Sequence, residues 1–287
     1  MCSANECWRG GIRYYSLKML RTLLFVFSMI ACTARADVAC PPWHIDESAR
    51  VNYVYDGDTL QLEDGRKIRL IGIDTPEVHS RYRVIPADIK SQGERAKAAL
   101  QRQLNTADNH VGLAFGSQRL DRYGRTLAHV FLPDGTNVQA WLIEQGLAIA
   151  FTTPPSERLA PCYQQREAIA RKAERGIWQM PQYQLKRVAQ LNNKSRGFRR
   201  VQADVSRIWQ SSRGVTLLLD EALEIRIYKA DLPNFNVHML NNLQGKRVRV
   251  RGWLKPKKIQ ANRSMNKPGK ALYRMTLRHP HGIKIIH

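Results

Sequence analysis

Acidic residues are scarce in this chain of 287 residues, where 24 Asp and Glu stand against 46 Lys and Arg and leave a formal net charge of +22. The shortage is uneven along the sequence. Residues 37–180 carry 18 charges of each sign, whereas residues 197–287 carry 19 basic and five acidic side chains. A neutral region does not attract a polyanion over long range by net charge, so we expect the C-terminal third to supply much of the electrostatic capture of a polyanionic partner.

Long apolar runs are also scarce. The N-terminal run at 23–31 is too short to span a bilayer comfortably, so we expect no stable membrane span. Four basic residues precede it and Ala34-Arg35-Ala36 follows it, a pattern typical of a signal peptide over residues 1–36. The sequence thus predicts export, to the periplasm or the medium. Three alternatives stay open: a permanent transmembrane helix, a start at Met19, and lipid attachment at Cys32.

Cysteine is rare, with five residues in the chain. Cleavage before Asp37 removes three of them and leaves Cys40 and Cys162. An even number of cysteines in an oxidising compartment favours one disulfide. The alternative is two free thiols, because spacing alone does not bring two Cα atoms within bonding distance.

Carboxylates interrupt two strand-like segments, Val54-Tyr55-Asp56-Gly57-Asp58-Thr59 and the stretch at 68–77, which contains Arg69, Asp74 and Glu77. Acids in β-branched sequence carry a desolvation cost that a cation or a hydrogen-bonded network must offset. Neither Cys nor His lies among these acids, which excludes a typical zinc site. Oxygen donors alone favour calcium or magnesium.

Periodicity predicts five strands and three helices in the first part of the chain. The strands are expected at 51–55, 59–63, 67–73, 110–116 and 126–131, with a tight hairpin at Asp64-Gly65. The helices are expected at 91–104, 138–145 and 162–175. The fold class is therefore α+β, mainly β with packed helices.

Together with Asp121-Arg122-Tyr123-Gly124-Arg125, the two acidic segments resemble the staphylococcal nuclease family over about residues 49–180. The resemblance implies a five-stranded OB-type barrel with three helices over residues 37–180. It also implies a calcium-dependent, sugar-nonspecific nuclease that cleaves DNA and RNA and leaves 3′-phosphate ends. We expect a monomer, although the sequence does not fix the oligomeric state. The alternative is a noncatalytic nucleic-acid or surface-polyanion binder on a degenerate scaffold, against which the complete set of matching residues weighs.

The same resemblance implies a role for each matching residue. Asp58, Asp74 and the carbonyl of Thr75 match the Ca²⁺ ligands, and Glu77 matches the general base. Arg69 and Arg125 match the two arginines whose planar forks hold phosphate oxygens. Asp56 and Tyr123 are expected to support the site. Where the family often places tyrosines that stack on a base, this chain has Phe151-Thr152-Thr153-Pro154-Pro155, so we expect weaker or differently arranged stacking.

Strand parity does not by itself bring these groups together. Arg69 and Asp74 are an odd number of residues apart, so an unbroken strand would place them on opposite faces. Gly72 is a plausible bulge or strand end that redirects the chain. The convergence of the groups is thus implied by the resemblance alone.

The C-terminal part predicts a second, basic domain. Residues 181–196 form a basic linker, read as an exposed tether or a marginal helix. Strands expected at 201–209, 214–219, 223–228, 247–254 and 272–278 resemble a small OB-fold barrel over 197–287. Alternation places three arginines on one face, and the predicted nucleic-acid-binding set is Arg247, Arg249, Arg251, Lys255, Lys257 and Lys258. Acidic polysaccharide or a membrane surface is the alternative partner for this charge.

Overall fold

The computed structural model describes residues 40–79, 84–257 and 272–286. Five strands close the first barrel: β1 (Glu47–Asp56), β2 (Thr59–Leu62), β3 (Lys67–Leu70), β5 (His110–Leu120) and β6 (Thr126–Phe131). Their order around the barrel is β1-β2-β3-β6-β5. Leu60, Leu62, Ile68 and Leu70 alternate into its core, which confirms the predicted hairpin and the α+β barrel.

Three helices pack against this barrel: α1 (Ala87–Asn105), α2 (Val138–Glu144) and α3 (Ala160–Lys172). Helix α1 begins four residues before its predicted start, and α3 begins two residues early and ends three early. The side chain of Asn137 accepts a hydrogen bond from the backbone N–H of Ala140 and caps α2. The three helices are those that the periodicity predicted.

Two short strands outside the barrel escaped prediction. Strand β4 (Ile73–Asp74) pairs antiparallel with β7 (Ile149–Ala150). The segment predicted as one strand over 67–73 is thus broken in two. The break lies at Gly72, whose φ is +84° and whose Cα faces the ring of Tyr163 so closely that a Cβ would overlap it.

The predicted disulfide is present. Cys40 and Cys162 are bonded, with Cα atoms 5.7 Å apart and a separation of 122 positions in sequence. The bond joins the N-terminal arm to α3, and both cysteines pack against the first core.

The second barrel is built from β9 (Gly197–Ser211), β10 (Gly214–Leu219), β11 (Leu223–Tyr228), β12 (Arg247–Pro256) and β13 (Tyr273–Thr276). It closes because β12 pairs with β9 along one edge and with β13 at its C-terminal end. Strand β14 (Ile283–Ile285) pairs with β12, and the short helix α4 (Val237–Asn241) precedes β12 in the chain. The second predicted barrel is confirmed.

The segment 181–196, expected to be an exposed tether or a marginal helix, instead contains a short strand followed by a 3₁₀ turn at Val188–Gln190. Strand β8 (Leu185–Arg187) pairs in parallel with β9. Tyr183, Val188 and Leu191 around it are buried. Val188 and Leu191 pack in the core of the second barrel, and Tyr183 packs against Trp178 and Phe198. A basic, glutamine-rich composition does not reveal this burial of apolar surface.

A third group of apolar residues packs between the two barrels. Ile149, Ile177, Trp178 and Met180 come from the first part of the chain, and Phe198 comes from β9. Phe151 and Trp253 pack on this cluster with ring centroids 4.5 Å apart. The chain from Val38 to His287 accordingly forms one compact unit. In the described ranges no helix has the length and apolarity needed to span a membrane.

Candidate active site

The first acidic segment is tied to the second by register and by direct contact. Thr59 at the start of β2 lies opposite Arg69 on β3, so Asp58 sits beside the Arg69 guanidinium. Asp58 Oδ2 is 2.9 Å from Arg69 Nη1. The same oxygen accepts hydrogen bonds from Thr75, from its backbone N–H at 3.1 Å and from its hydroxyl at 3.2 Å. Asp58 therefore joins the two segments that the sequence singled out.

The turn at Gly72 brings Asp74 to the same face as Arg69. Beyond it, the chain enters β4, and Asp74 Oδ1 lies 3.3 Å from Arg69 Nη2. Arg69 also donates to the carbonyl groups of Leu70 and Ile73, at 2.9 and 3.2 Å. A third backbone carbonyl, that of Asp58, accepts from Nη1 at 3.5 Å, so the guanidinium is fixed by two carboxylates and three backbone carbonyls.

Helix α1 packs against the segment from Thr75 to Glu77. Gly93 lies on the buried face of the helix, and a Cβ at this position would be 2.6 Å from the carbonyl oxygen of Pro76. Only glycine permits this approach. Glu77 itself is exposed, on the solvent side of this contact.

The carboxylates raise one another's proton affinity. Burial, followed by repulsion from Asp58, raises the pKa of Asp74 to about 8, and Glu77 and Asp56 add to the effect. Burial and Asp58 likewise raise the pKa of Asp56 to about 6. For Arg69, burial lowers the pKa, but attraction to Asp58, Asp74, Asp56 and Glu77 outweighs burial, and the net shift is upward. The site therefore concentrates more negative charge than Arg69 alone neutralises.

The second arginine stands on a turn in front of β6. The Asp121 carboxylate accepts the backbone N–H groups of Tyr123 and Arg125, at 2.8 and 3.0 Å, and Arg125 Nε at 2.7 Å. Burial raises the pKa of Asp121, but the hydrogen bonds from Arg125 and Tyr123 outweigh it and lower the net pKa. The Arg125 guanidinium lies 5.6 Å from the Tyr123 ring centroid. Asp121 thus orients the arginine, whose side chain is 27% exposed.

Two residues of this site were not predicted to act in it. Thr59 accepts from Arg125 Nη1 at 3.3 Å and donates to Asp58 Oδ1 at 3.1 Å, so one hydroxyl connects the acidic segments with the arginine turn. Asp121 was seen only as part of the motif. Their place in the site follows from strand pairing: Thr59 lies opposite Arg69, and Ile68 lies opposite Thr126 at the end of the arginine turn. These pairs are known only when the strand register is known.

The donor set suits a hard divalent cation. No three Asp, Glu, His or Cys side chains within the described ranges form a closed metal-binding group. Asp58, Asp74 and the Thr75 carbonyl offer oxygen alone, however, and four carboxylates act on one guanidinium. The mutual repulsion that raises the pKa of Asp74 is what a cation would relieve. These residues fit a Ca²⁺ or Mg²⁺ ion.

The predicted basic stripe of the second barrel is largely engaged within the protein. Arg251 pairs with the buried Glu167 of α3, and Arg247 makes a bidentate pair with Asp204. Lys257 Nζ lies 2.7 Å from the buried Glu224. Arg249 and Lys255 are exposed, and Lys258 lies outside the described residues. Arg251 is 19% exposed and ion-pairs with Glu167 of the first part of the chain, and its part in nucleic-acid binding stays a prediction.

Phe151 also contacts the second barrel. Its ring packs edge-on against Trp253 of β12. The position where a stacking side chain was sought therefore serves the contact between the barrels. This reason for its aromatic character was not visible in the sequence.

Comparison with known proteins agrees with this geometry. The family model described as staphylococcal nuclease homologue matches residues 67–180. The chain is 36% identical to the thermonuclease of Staphylococcus intermedius over 138 residues, which cover 46% of this chain and 77% of the relative. It is 31% identical to an uncharacterized endonuclease of Escherichia coli O157:H7 over 164 residues, covering 56% of this chain and 89% of the relative. The chain therefore belongs to the family of staphylococcal nuclease homologues.

Proposed function

We propose that this nuclease is an exported, Ca²⁺-dependent, sugar-nonspecific endonuclease that hydrolyses phosphodiester bonds in DNA and RNA. The assignment to nucleases, and so to hydrolases, rests on family membership. One observation carries the finer proposal: Asp58 and Asp74 both contact Arg69, while Glu77 acts electrostatically on the same group. Hard oxygen donors beside a phosphate-binding arginine are the parts that phosphodiester hydrolysis requires.

In this proposal the arginines bind the scissile phosphate. Arg125 is held by Asp121 through Nε and by Thr59 through one Nη, and the other Nη makes no hydrogen bond to a described residue. Its planar fork is suited to two phosphate oxygens as negative charge grows on them. Arg69 is fixed by carboxylates and carbonyl groups, and it contributes a second positive charge to the site.

Glu77 is the proposed general base. Its exposed carboxylate takes a proton from the attacking water as the new P–O bond forms. The bond between phosphorus and the 5′-oxygen then breaks, the 5′-oxygen gains a proton, and the phosphate stays on the 3′ side. Asp58, Asp74 and the Thr75 carbonyl are the proposed Ca²⁺ ligands, and the ion when bound polarises the phosphodiester.

Export is proposed on two grounds. The N-terminal 36 residues have the pattern of a cleaved signal, and the disulfide between Cys40 and Cys162 suits an oxidising compartment. Mass spectrometry of the exported form should give a chain that begins at Asp37. A diacylglyceryl mass on Cys32 would instead show a lipoprotein.

Digestion of plasmid DNA and of RNA, with Ca²⁺ or with chelator, tests the activity. We expect both polymers to be cut only with Ca²⁺, and Glu77→Gln to lower turnover by about 10² or more with the fold unchanged. Binding without cleavage under all metal conditions would favour the noncatalytic alternative. Undiminished cleavage by a folded Glu77→Gln variant would remove Glu77 from the proposed role.

A further inference from the structure

A pocket of about 300 Å³ lies between α3 and the second barrel. Five cationic side chains line it, and we call it the cationic pocket: Arg171 of α3, Arg200 of β9, Arg249 and Arg251 of β12, and Lys284 of β14. Glu167 is the one carboxylate among the described residues that line it. A surface that is merely solvated mixes both signs, so this imbalance needs an explanation.

The strand register places like charges directly opposite each other in this pocket. Arg251 on β12 faces Arg200 on β9, and Arg249 on β12 faces Lys284 on β14. Like charges in directly opposed positions destabilise a sheet. Two such pairs lie two residues apart on β12 and on the same face of the sheet. Their repulsion lowers the stability of the barrel, and the fold of the barrel does not require it.

The single acid neutralises only part of this charge. Glu167 is buried and contacts Arg251 and Arg171, the latter at 3.2 Å. Arg200 makes one long hydrogen bond, 3.4 Å, to the carbonyl of Tyr183. Arg249 donates to the neutral amide of Gln202 at 3.2 Å, and Lys284 makes no ion pair with a described residue.

The arginines are nevertheless held in place. Arg171 and Arg200 both lie over the Trp178 ring, with each guanidinium carbon 5.8 Å from the centroid. Burial, then repulsion from Arg171 and Arg251, lowers the pKa of Arg200 to about 10. A fixed cluster of repelling guanidinium groups is organised in advance to receive an anion.

The cationic pocket has a neighbour on the side of β7. A second cavity of about 310 Å³ shares Gln164, Arg251 and His281 with it and has Ala150 and Phe151 in its wall. Ala150 lies on β7, whose partner strand β4 carries Asp74. The two cavities therefore have three residues in common, and the second borders the strand that pairs with β4.

We propose that the cationic pocket is a second phosphate-binding site, which holds a backbone phosphate of the nucleic-acid substrate away from the bond being cut. This proposal rests on the proposed function. Planar guanidinium forks suit phosphate oxygens, and the connection with β7 favours the polymer that the active site cleaves over an acidic polysaccharide. The site differs from the predicted stripe: it adds Arg171, Arg200 and Lys284, and Arg251 takes part as the arginine anchored by Glu167.

The test is a charge-removing pair with a matched control. The variant Arg249→Gln/Lys284→Gln removes two exposed charges from the pocket, while Arg207→Gln/Lys246→Gln removes two exposed charges elsewhere on the same barrel. Fluorescence anisotropy of a labelled single-stranded 20-mer in chelator measures binding without cleavage. We expect the pocket variant to bind about tenfold more weakly, and its plot of log K against log salt to be shallower by about 0.7 per lost phosphate contact. The control should bind nearly as wild type.

Further measurements separate this proposal from its competitors. In buffer free of phosphate the pocket variant should melt no lower than wild type, because repulsion is relieved, whereas a structural role for these charges predicts a lower melting temperature. Failure of wild type to cleave plasmid DNA or RNA with Ca²⁺ would overturn the proposed function and leave the binding result intact. If the pocket variant and the control bind the 20-mer with equal affinity and equal salt slope, the proposal of a second phosphate-binding site is overturned.

Competition identifies the source of the phosphate. Inorganic phosphate should displace the 20-mer from wild type only at millimolar concentration, as expected for one phosphate in a polymer site. Tight binding of inorganic phosphate alone would overturn the polymer assignment. A variant that loses affinity for heparin but keeps its affinity for the 20-mer would assign the pocket to acidic polysaccharide.

Discussion

Replacement of Arg251 by Met tests whether the two barrels depend on each other. Arg251 donates to both carboxylate oxygens of Glu167 and to the carbonyl of Ala150, the last at 2.9 Å. Glu167 is 1% exposed, so the substitution leaves a buried carboxylate with only Arg171 and the Ala150 N–H.

The magnitude follows from the cost of breaking a buried pair, which is about 3–5 kcal/mol when one partner is removed. Because Arg171 still contacts Glu167, we expect the lower end, a fall of about 3 kcal/mol in the free energy of unfolding. For a chain of this size, that corresponds to about 6–12 °C in melting temperature.

Urea denaturation of four proteins measures the effect: wild type, Arg251→Met, Glu167→Gln and the double variant. The double variant should recover about half of the loss or more, since the glutamine leaves no buried charge and can still accept from Ala150. Arg247→Met is the control, because its pair with Asp204 is 59% and 51% exposed and should contribute at most about 1 kcal/mol. If Arg251→Met costs no more than this control, the buried pair does not join the barrels.

Three further results are expected. Arg125→Ala should lower turnover by about 10² or more, while Arg122→Ala in the same turn should change it little; equal losses would contradict the role of Arg125. Removal of the Cys40–Cys162 bond by double serine substitution should cost about 2–5 kcal/mol of unfolding free energy, and a wild-type chain with two free thiols would contradict the bond. Burial lowers the pKa of His129 to about 3, so its stabilising contribution should be complete above the ordinary value near 6.5 and be lost toward pH 3, by up to about 1.4 kcal/mol per pH unit. Denaturation midpoints of wild type and His129→Gln should converge with falling pH, and parallel curves would contradict this.

Elements with a clear local pattern were predictable from the sequence. Strands β6, β10 and β11 have the predicted bounds, because alternating apolar residues between turn residues mark both ends. Strands β4 and β7 have two residues each, too few to show any period. They form because the chain beyond Gly72 finds a partner strand almost 80 residues later.

The candidate site was predictable in its members and not in its geometry. Parity placed Arg69 and Asp74 on opposite faces, and the turn at Gly72 brought them within 3.3 Å. The alternation around Arg251 predicted its face correctly, but alternation does not say what covers a face. Glu167 lies 84 residues earlier in sequence, and only the folded chain brings it to Arg251.

The apolar cluster between the barrels sets where this chain can be divided. The family match ends at residue 180, inside that cluster, where Met180 and Trp178 pack with Phe198 of the second barrel. A fragment ending there would expose tryptophan and methionine side chains and leave Glu167 without Arg251. We therefore expect that a chain cut at the homology boundary does not fold stably, and that the described parts of both barrels unfold in a single cooperative transition.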